Sequence, residues 1–271
     1  MSSAEQSKKP PIIVLAIPSL QFCRRTVNDL MILADAHILS GWTIPESTLI
    51  PQCRNKAIDT LYRDQPDFTH LLFIDDDMDG FTPYHVKQLW EADKDVISGL
   101  VTQRKPPYKI VACFEGEPNP QQIAEYIKNK EILETSIVGM AFTLIKREVL
   151  DEIKEETPDG PIWFTTDREE RPDFPEELDL FIEAIERSDM SLEWKLKEAA
   201  AFGQISHRGN RLLGEDVATC RKIKAAGFSM YVHCGAVIGH TGEHVFDFRH
   251  AFQEMQREME ADESKLSIVS A

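Results

Sequence analysis

The chain has 271 residues, enough at about 150 per domain for one large domain or two small ones. Hydrophobic residues make up 42% and aromatics 8%, which supplies a packed core and excludes wholesale disorder. Lys and Arg number 30 against 46 Asp and Glu, and the net charge of −16 opposes generic binding to nucleic acid or an anionic membrane, leaving only local basic patches for such roles.

Residues 1–10 are polar and read as a flexible tail. Ile12 to Ile17 is a continuous apolar run bounded by Pro11 and Pro18, which suits a strand covered on both faces. The run is too short for a secretory leader or a bilayer span, so a cytoplasmic chain with no membrane insertion is expected. The five cysteines are scattered with no CxxC pair, as in a reducing compartment. Val27, Leu30, Met31, Ala34 and Ile38 then recur at helical spacing, with Gly41 as an expected C-terminal cap. A second helix is predicted from about Arg54 to Tyr62. The buried strand His70–Ile74 follows and runs into Asp75, Asp76 and Asp77.

Thr82-Pro83 is a helix start, because Thr caps and Pro fits the first helical position. That helix leads to a strand over Asp95–Leu100. The β-α-α-β-α-β order is that of a doubly wound α/β sheet, whose ligands bind beyond the carboxyl ends of the strands. Ser136 to Ile145 reads as one strand and Lys146 to Ile153 as a short helix. Residues 156–210 are rich in Glu, Asp and Pro, with one or two helices between Pro175 and Ala201. Gly214-Glu215-Asp216 opens a helix that ends at Gly227, and two short strands are expected at Ser229–His233 and Ala236–His240. From 244 onward Val245, Phe248, Phe252, Met255 and Met259 form one stripe of a closing helix.

Three groups of residues carry chemistry. On an extended strand end Asp75 and Asp77 point the same way, and two such carboxylates call for a cation. The plain structural account is a solvated acidic turn. Asp77-Met78-Asp79-Gly80 also resembles the nucleophile loop of haloacid-dehalogenase-type phosphatases, although the following Thr82 comes one residue late. Glu215 and Asp216 are explained equally by the helix dipole. His240, at a strand end beside Gly239 and Gly242, is either structural or a ligand for an Mn²⁺-like ion.

Taken in order, HLLFIDDDM, DVISGL, VGMAFTLIKREVL, GEDVATCRKIKAAGF and VIGHTG resemble the GT-A nucleotide-diphospho-sugar glycosyltransferases, in particular the family 2-like and Anp1-like groups and phage-encoded members. The resemblance covers roughly residues 11–245. It implies one α/β domain over 11–243, Rossmann-like in its N-terminal half, with a mixed, mostly parallel sheet flanked by helices and an acceptor-side insertion at 156–210. It implies transfer of a sugar from a nucleoside-diphosphate sugar, UDP-sugar favoured, to a hydroxyl acceptor with Mn²⁺ or Mg²⁺ as cofactor.

By resemblance, Asp77, His240 and Asp75 match the metal site, Asp75 and Asp76 lying toward the ribose. Asp216 matches the general base, with Glu215 as its alternate. Pro18 and Ser19 match the loop holding the nucleotide base, and Arg54-Asn55 the basic-polar pair that opens the next helix near the nucleotide. Ser98, Gly99 and Arg104 match the loop beneath the sugar, and Gly139 a strand lining sugar and acceptor. The acceptor class stays open between a glycan, a protein and a hydroxymethylated base in phage DNA, the last in a host cytoplasm. Arg104-Lys105, Lys109, His207-Arg208 and Arg211 would be its basic patch. A phosphatase built on Asp77 and Asp79, and a non-catalytic nucleotide-sugar-binding module, are the alternatives. GxxxxGK[ST] and GxGxxG are absent, which argues against a kinase or a dinucleotide oxidoreductase.

Overall fold

The computed structural model describes residues 11–18, 24–45, 47, 49–103, 109–114, 116, 118–170, 210–241 and 245–246, with isolated positions between 182 and 195. Strand β1 (Ile13–Ala16) is buried along its whole length. Helix α1 (Arg24–Asp35) follows, then the edge strand β2 (Gly41–Thr43) and helix α2 (Ile50–Asp64), whose second position is Pro51. Strand β3 (His70–Ile74), the two-residue β4 (Met78–Asp79), helix α3 (Pro83–Glu91) and strand β5 (Val96–Val101) come next. The second half holds β6 (Ala112–Phe114), α4 (Pro120–Asn129), β7 (Ile132–Val138), β8 (Phe142–Lys146) and α5 (Arg147–Ile153). A hairpin of β9 (Glu155–Thr157) and β10 (Gly160–Ile162) precedes β11 (Asp167–Glu170). β12 (Asn210–Leu213), α6 (Glu215–Ala225), β13 (Met230–Thr241) and β14 (Val245–Phe246) complete the described chain.

The main sheet has the order β2-β1-β3-β8-β5-β13-β7-β6. β8 and β7 run against their neighbours and the other strands of that path share one direction, so the sheet is mixed and mostly parallel. One face carries Ala57, Ile58 and Leu61 of α2 with Val149 of α5 and Ile223 of α6. The other carries Leu33 of α1 with Val86 and Leu89 of α3. Successive strand residues alternate between these clusters, Val14 to one and Leu15 to the other, as the period of two requires. This is the α/β architecture, with flanking helices, that the order of sequence elements predicts.

Several elements differ from their predicted form. The buried residues of α1 are Thr26 and Leu33, while Val27 and Met31 are 40% and 67% exposed, so the helix is rotated from the predicted stripe. Thr26 Oγ1 donates to the Met78 carbonyl at 2.7 Å, and this bond to β4 holds the rotation. Gly41 lies inside β2 instead of capping α1, after which His37 takes the left-handed turn at φ 54°. The predicted strand 136–145 is two strands that run the same way at separate places in the sheet, broken at Gly139, whose missing Cβ would lie 2.5 Å from Val111 Cγ1. The two strands predicted at 229–240 are one, β13, with a register shift between His233 and Val237.

The predicted closing helix begins differently: Val245–Phe246 form β14, and its later residues lie outside the described ones, as does most of 156–210 beyond Glu170. β11 and β12, at the two ends of that segment, pair antiparallel from Asp167↔Leu213 to Glu170↔Asn210. Among the described residues no helix is long and apolar enough to cross a membrane.

Candidate active site

The carboxyl ends of β1, β3, β5 and β13 lie on one side of the sheet, and the acidic run leaves β3 there. The chain turns at once: Met78 N–H donates back to the Asp75 carbonyl at 3.2 Å. Extended geometry predicts that Asp75 and Asp77 project together. The turn removes that geometry, and the two carboxylates meet different partners.

Asp75 meets Arg54. This arginine sits on the buried stripe of α2 with Cys53, Ala57, Ile58 and Leu61, and is 1% exposed. Its guanidinium carbon lies 5.0 Å from the Phe73 ring centroid and 5.7 Å from that of Phe164. Its Nη2 is 3.1 Å from Asp75 Oδ1 and 3.9 Å from Asp216 Oδ1. Burial alone would lower the guanidinium pKa, but the charges of Asp75, Asp216 and Glu215 reverse this and raise it. Arg54 Nε and Nη1 are buried without a hydrogen-bond partner. The next residue, Asn55, clamps a loop: its Oδ1 accepts from Trp163 N–H and Phe164 N–H at 2.9 Å each, and its Nδ2 donates to the Phe164 carbonyl at 2.8 Å. The expected basic-polar pair therefore lies a turn inside α2, not at its opening, and both residues are engaged within the protein.

Asp216 is the second residue of α6, a helix capped by Gly214 in extended backbone. Its Oδ2 accepts from Met140 N–H at 3.2 Å, and 29% of its side chain is exposed. Burial pushes its carboxyl up to about 6, against the lowering effect of Arg54, with Glu215 and Asp75 adding to the rise. Glu215 and Asp76 are half-buried neighbours of these groups.

Asp77 meets His240. β4 pairs with the end of β13 through His240↔Met78, while β14 pairs on the other side through His240↔Phe246. Thr241 N–H donates to the Asp77 carbonyl at 2.7 Å. His240 Nε2 is 3.9 Å from Asp77 Oδ1, and His240 Nδ1 is hydrogen-bonded to the Thr102 carbonyl. A carbonyl only accepts, so Nδ1 carries a proton and Nε2 is the ring nitrogen turned toward the carboxylate. An imidazole nitrogen and a carboxylate oxygen so placed can share a proton or a cation. A borderline-hard divalent ion suits one imidazole and one carboxylate, and the backbone bond at Nδ1 is the usual way such a ligand is oriented. The fit is to two protein donors: among the described residues no group of three His, Cys, Asp or Glu is arranged to hold a metal. The expected third ligand, Asp75, pairs with Arg54 instead.

The remaining expected residues divide by position. Pro18 is buried just past β1, whereas Ser19 and Arg104 lie outside the described residues. Ser98 and Gly99 are not in a loop beneath a ligand. They lie inside β5, where Ser98 Oγ donates to the Gly99 carbonyl at 2.9 Å. A Cβ on Gly99 would come within 2.8 Å of the Ala236 carbonyl, so the glycine serves the close approach of β5 to β13. Gly139 is in the β7–β8 turn, with its N–H on the Val111 carbonyl at 3.0 Å. Of the expected basic patch, Lys109 is exposed, Arg211 lies in β12, and Arg104, Lys105, His207 and Arg208 lie outside the described residues. Sequence reading missed Phe73, Phe164 and Met140 as partners of the charged groups. A usable signal was Arg54 itself, three residues before Ala57 and four before Ile58 on an otherwise apolar stripe.

The chain matches no protein-family model and no curated protein. Among solved structures it is similar to the A197 protein from STIV, at 16% identity over 85% of this chain and 86% of that one, with a TM-score of 0.48. It is also similar to glucosyl-3-phosphoglycerate synthase from Mycobacterium tuberculosis, solved with Mn²⁺, UDP-glucose and phosphoglyceric acid, at 12% identity over 54% of this chain and 60% of that one, with a TM-score of 0.32.

Proposed function

We propose that this protein is a GT-A-like, metal-assisted glycosyltransferase that moves a sugar from a nucleoside-diphosphate sugar, a UDP-sugar by preference, to a hydroxyl acceptor. The observation that carries the reading is the Asp77–His240 pair at 3.9 Å, two donors facing each other where the parallel strands end. In this reading Asp77 and His240 hold Mn²⁺ or Mg²⁺, with Asp75 and Asp76 toward the ribose and Pro18 and Ser19 toward the nucleotide base. The ion, when bound, neutralises charge on the departing diphosphate.

Asp216 acts as the general base. The acceptor oxygen bonds to the anomeric carbon, its proton passes to the Asp216 carboxylate, and the bond from that carbon to the phosphate oxygen breaks. The electron pair leaves with the nucleoside diphosphate. A carboxyl at about 6 is ionised at neutral pH yet more basic than an ordinary aspartate, which suits this task. A glycan, a protein or a hydroxymethylated base in phage DNA each offers the required hydroxyl, and an acceptor screen separates them.

Thermal unfolding with UDP, GDP, CDP and dTDP, each with and without Mn²⁺, tests the donor side. UDP is expected to stabilise the protein only with the metal, by about 2.7 kcal/mol at a hundredfold excess over Kd. Asp77→Ala should remove the whole effect. If no diphosphate stabilises the chain with or without metal, the reading fails. Binding without any sugar transfer, before or after Asp216→Asn, would mark a non-catalytic nucleotide-sugar module.

A further inference from the structure

The two acids around Arg54 hang from a single turn. Ala141, in the β7–β8 turn, accepts the Asp75 N–H at 2.9 Å, and the preceding Met140 donates its N–H to Asp216 Oδ2 at 3.2 Å. Between those acids stands one guanidinium with almost no freedom to move. Phe73 of β3 and Phe164 flank it, and their rings meet edge to face at 5.5 Å. Phe164 is in turn bound through its N–H and carbonyl to Asn55, the neighbour of Arg54 on the same helix. At 1% exposure the guanidinium is shut away from any ligand approaching through solvent, in contrast to the nucleotide-contacting place the resemblance implies.

The planar fork is held between two rings and meets both carboxylates through one nitrogen, Nη2, so it sets direction as well as charge. A lysine ammonium in its place would be a compact point charge without the fork. We propose that Arg54 is a positioning residue: its buried guanidinium sets the spacing and orientation of Asp75 and Asp216, and through Asp216 the direction from which a hydroxyl is deprotonated, while making no contact with the donor phosphates. The catalytic half of this statement rests on the transferase reading. The geometric half does not.

The test uses the full chain in two measurements. The first follows UDP release from UDP-glucose with Mn²⁺ and water as acceptor, in wild type and Arg54→Lys, which keeps the charge and loses the fork. kcat is expected to fall about 100-fold, as for a reactive group misplaced by about an ångström, with KM nearly unchanged. Unchanged kcat overturns the proposal. So does a rise in KM with kcat intact, because that pattern belongs to a phosphate-binding arginine.

The second compares melting temperatures of Arg54→Met, Asp216→Asn and the double variant. Residues sharing one network give non-additive changes, so the shift of the double variant should differ from the sum of the single shifts. Additive shifts overturn the proposal. Should wild type release no UDP at all, the transferase reading fails, and the melting temperatures alone decide whether Arg54 holds Asp216.

Discussion

Asp75 and Asp77 leave the same strand two positions apart and end in opposite electrostatic settings. Asp75 is neutralised by the protein itself, through a guanidinium 3.1 Å away that is sealed by two aromatic rings. Asp77 faces the Nε2 of an imidazole whose other nitrogen is already committed to a backbone carbonyl. The first arrangement is an ion pair made within the protein, and the second is the pair on which the proposed metal site rests. One turn of chain thus separates a carboxylate held by a buried arginine from one that faces a histidine, and neighbouring like residues need not share a setting.

Removing the internal cation is the harshest way to break this contrast. Arg54→Met should cost about 3–5 kcal/mol in denaturant unfolding, because it leaves two crowded carboxylates without their partner. Adding Asp75→Asn and Asp216→Asn should recover part of the loss.

The pH dependence of stability sharpens the comparison next. Asp216 holds its proton more tightly folded, at about 6, than unfolded, near 3.8. The folded chain therefore binds more protons than the unfolded one between these values, and this group lowers stability as pH rises from about 4 through about 6. The size is about 2–3 kcal/mol at roughly 1.4 kcal/mol per unit. Asp216→Asn should flatten that part of the profile, read as unfolding free energy against pH.

His85 and His233 act with the opposite sign. Each accepts a backbone N–H at Nδ1, from Thr82 at 3.2 Å and Gly235 at 3.1 Å, and burial lowers the pKa of both. Their contribution is full above the unfolded value of 6.5 and is lost as pH falls below it. His85→Gln should reduce the stability lost between pH 7 and pH 5.

The smallest effect is expected at Asp79. It pairs with the exposed Arg25 at 3.5 Å, so Asp79→Asn should cost about 0–1 kcal/mol and leave the UDP–Mn²⁺ response intact. Loss of all activity in that variant would instead favour a phosphatase built on Asp77 and Asp79.

What could be read from the chain follows the range of the forces involved. β3 and its acidic exit were legible because five successive residues with an apolar core dictate a strand locally. Thr82-Pro83 and Gly214 were legible because caps are local chemistry. The break at Gly139 depends on Val111, and the unity of β13 depends on pairing with both β5 and β7, so neither has a nearby signature. The rotation of α1 illustrates a narrower limit: the stripes through Val27 and Thr26 differ by one residue, and a hydroxyl's bond to Met78 decides between them. At the site, the acids and His240 stood out by type, whereas the enclosure of Arg54 required Phe164, more than a hundred residues away.

The short ladder between β11 and β12 has a consequence for how such a protein changes over generations. The chain departs at Glu170 and returns at Asn210 beside its point of departure, two residues of Leu213-Gly214 leading on to the helix that bears Asp216. Glu170 and Asn210 are thus paired side by side, and lengthening a connection between two fixed points costs only about 0.6 kcal/mol per doubling. A change of length between those two points is therefore expected to leave the β11–β12 ladder in place. Grafting a foreign 171–209 segment between the two paired strands is then a direct way to learn which properties of the protein that stretch carries.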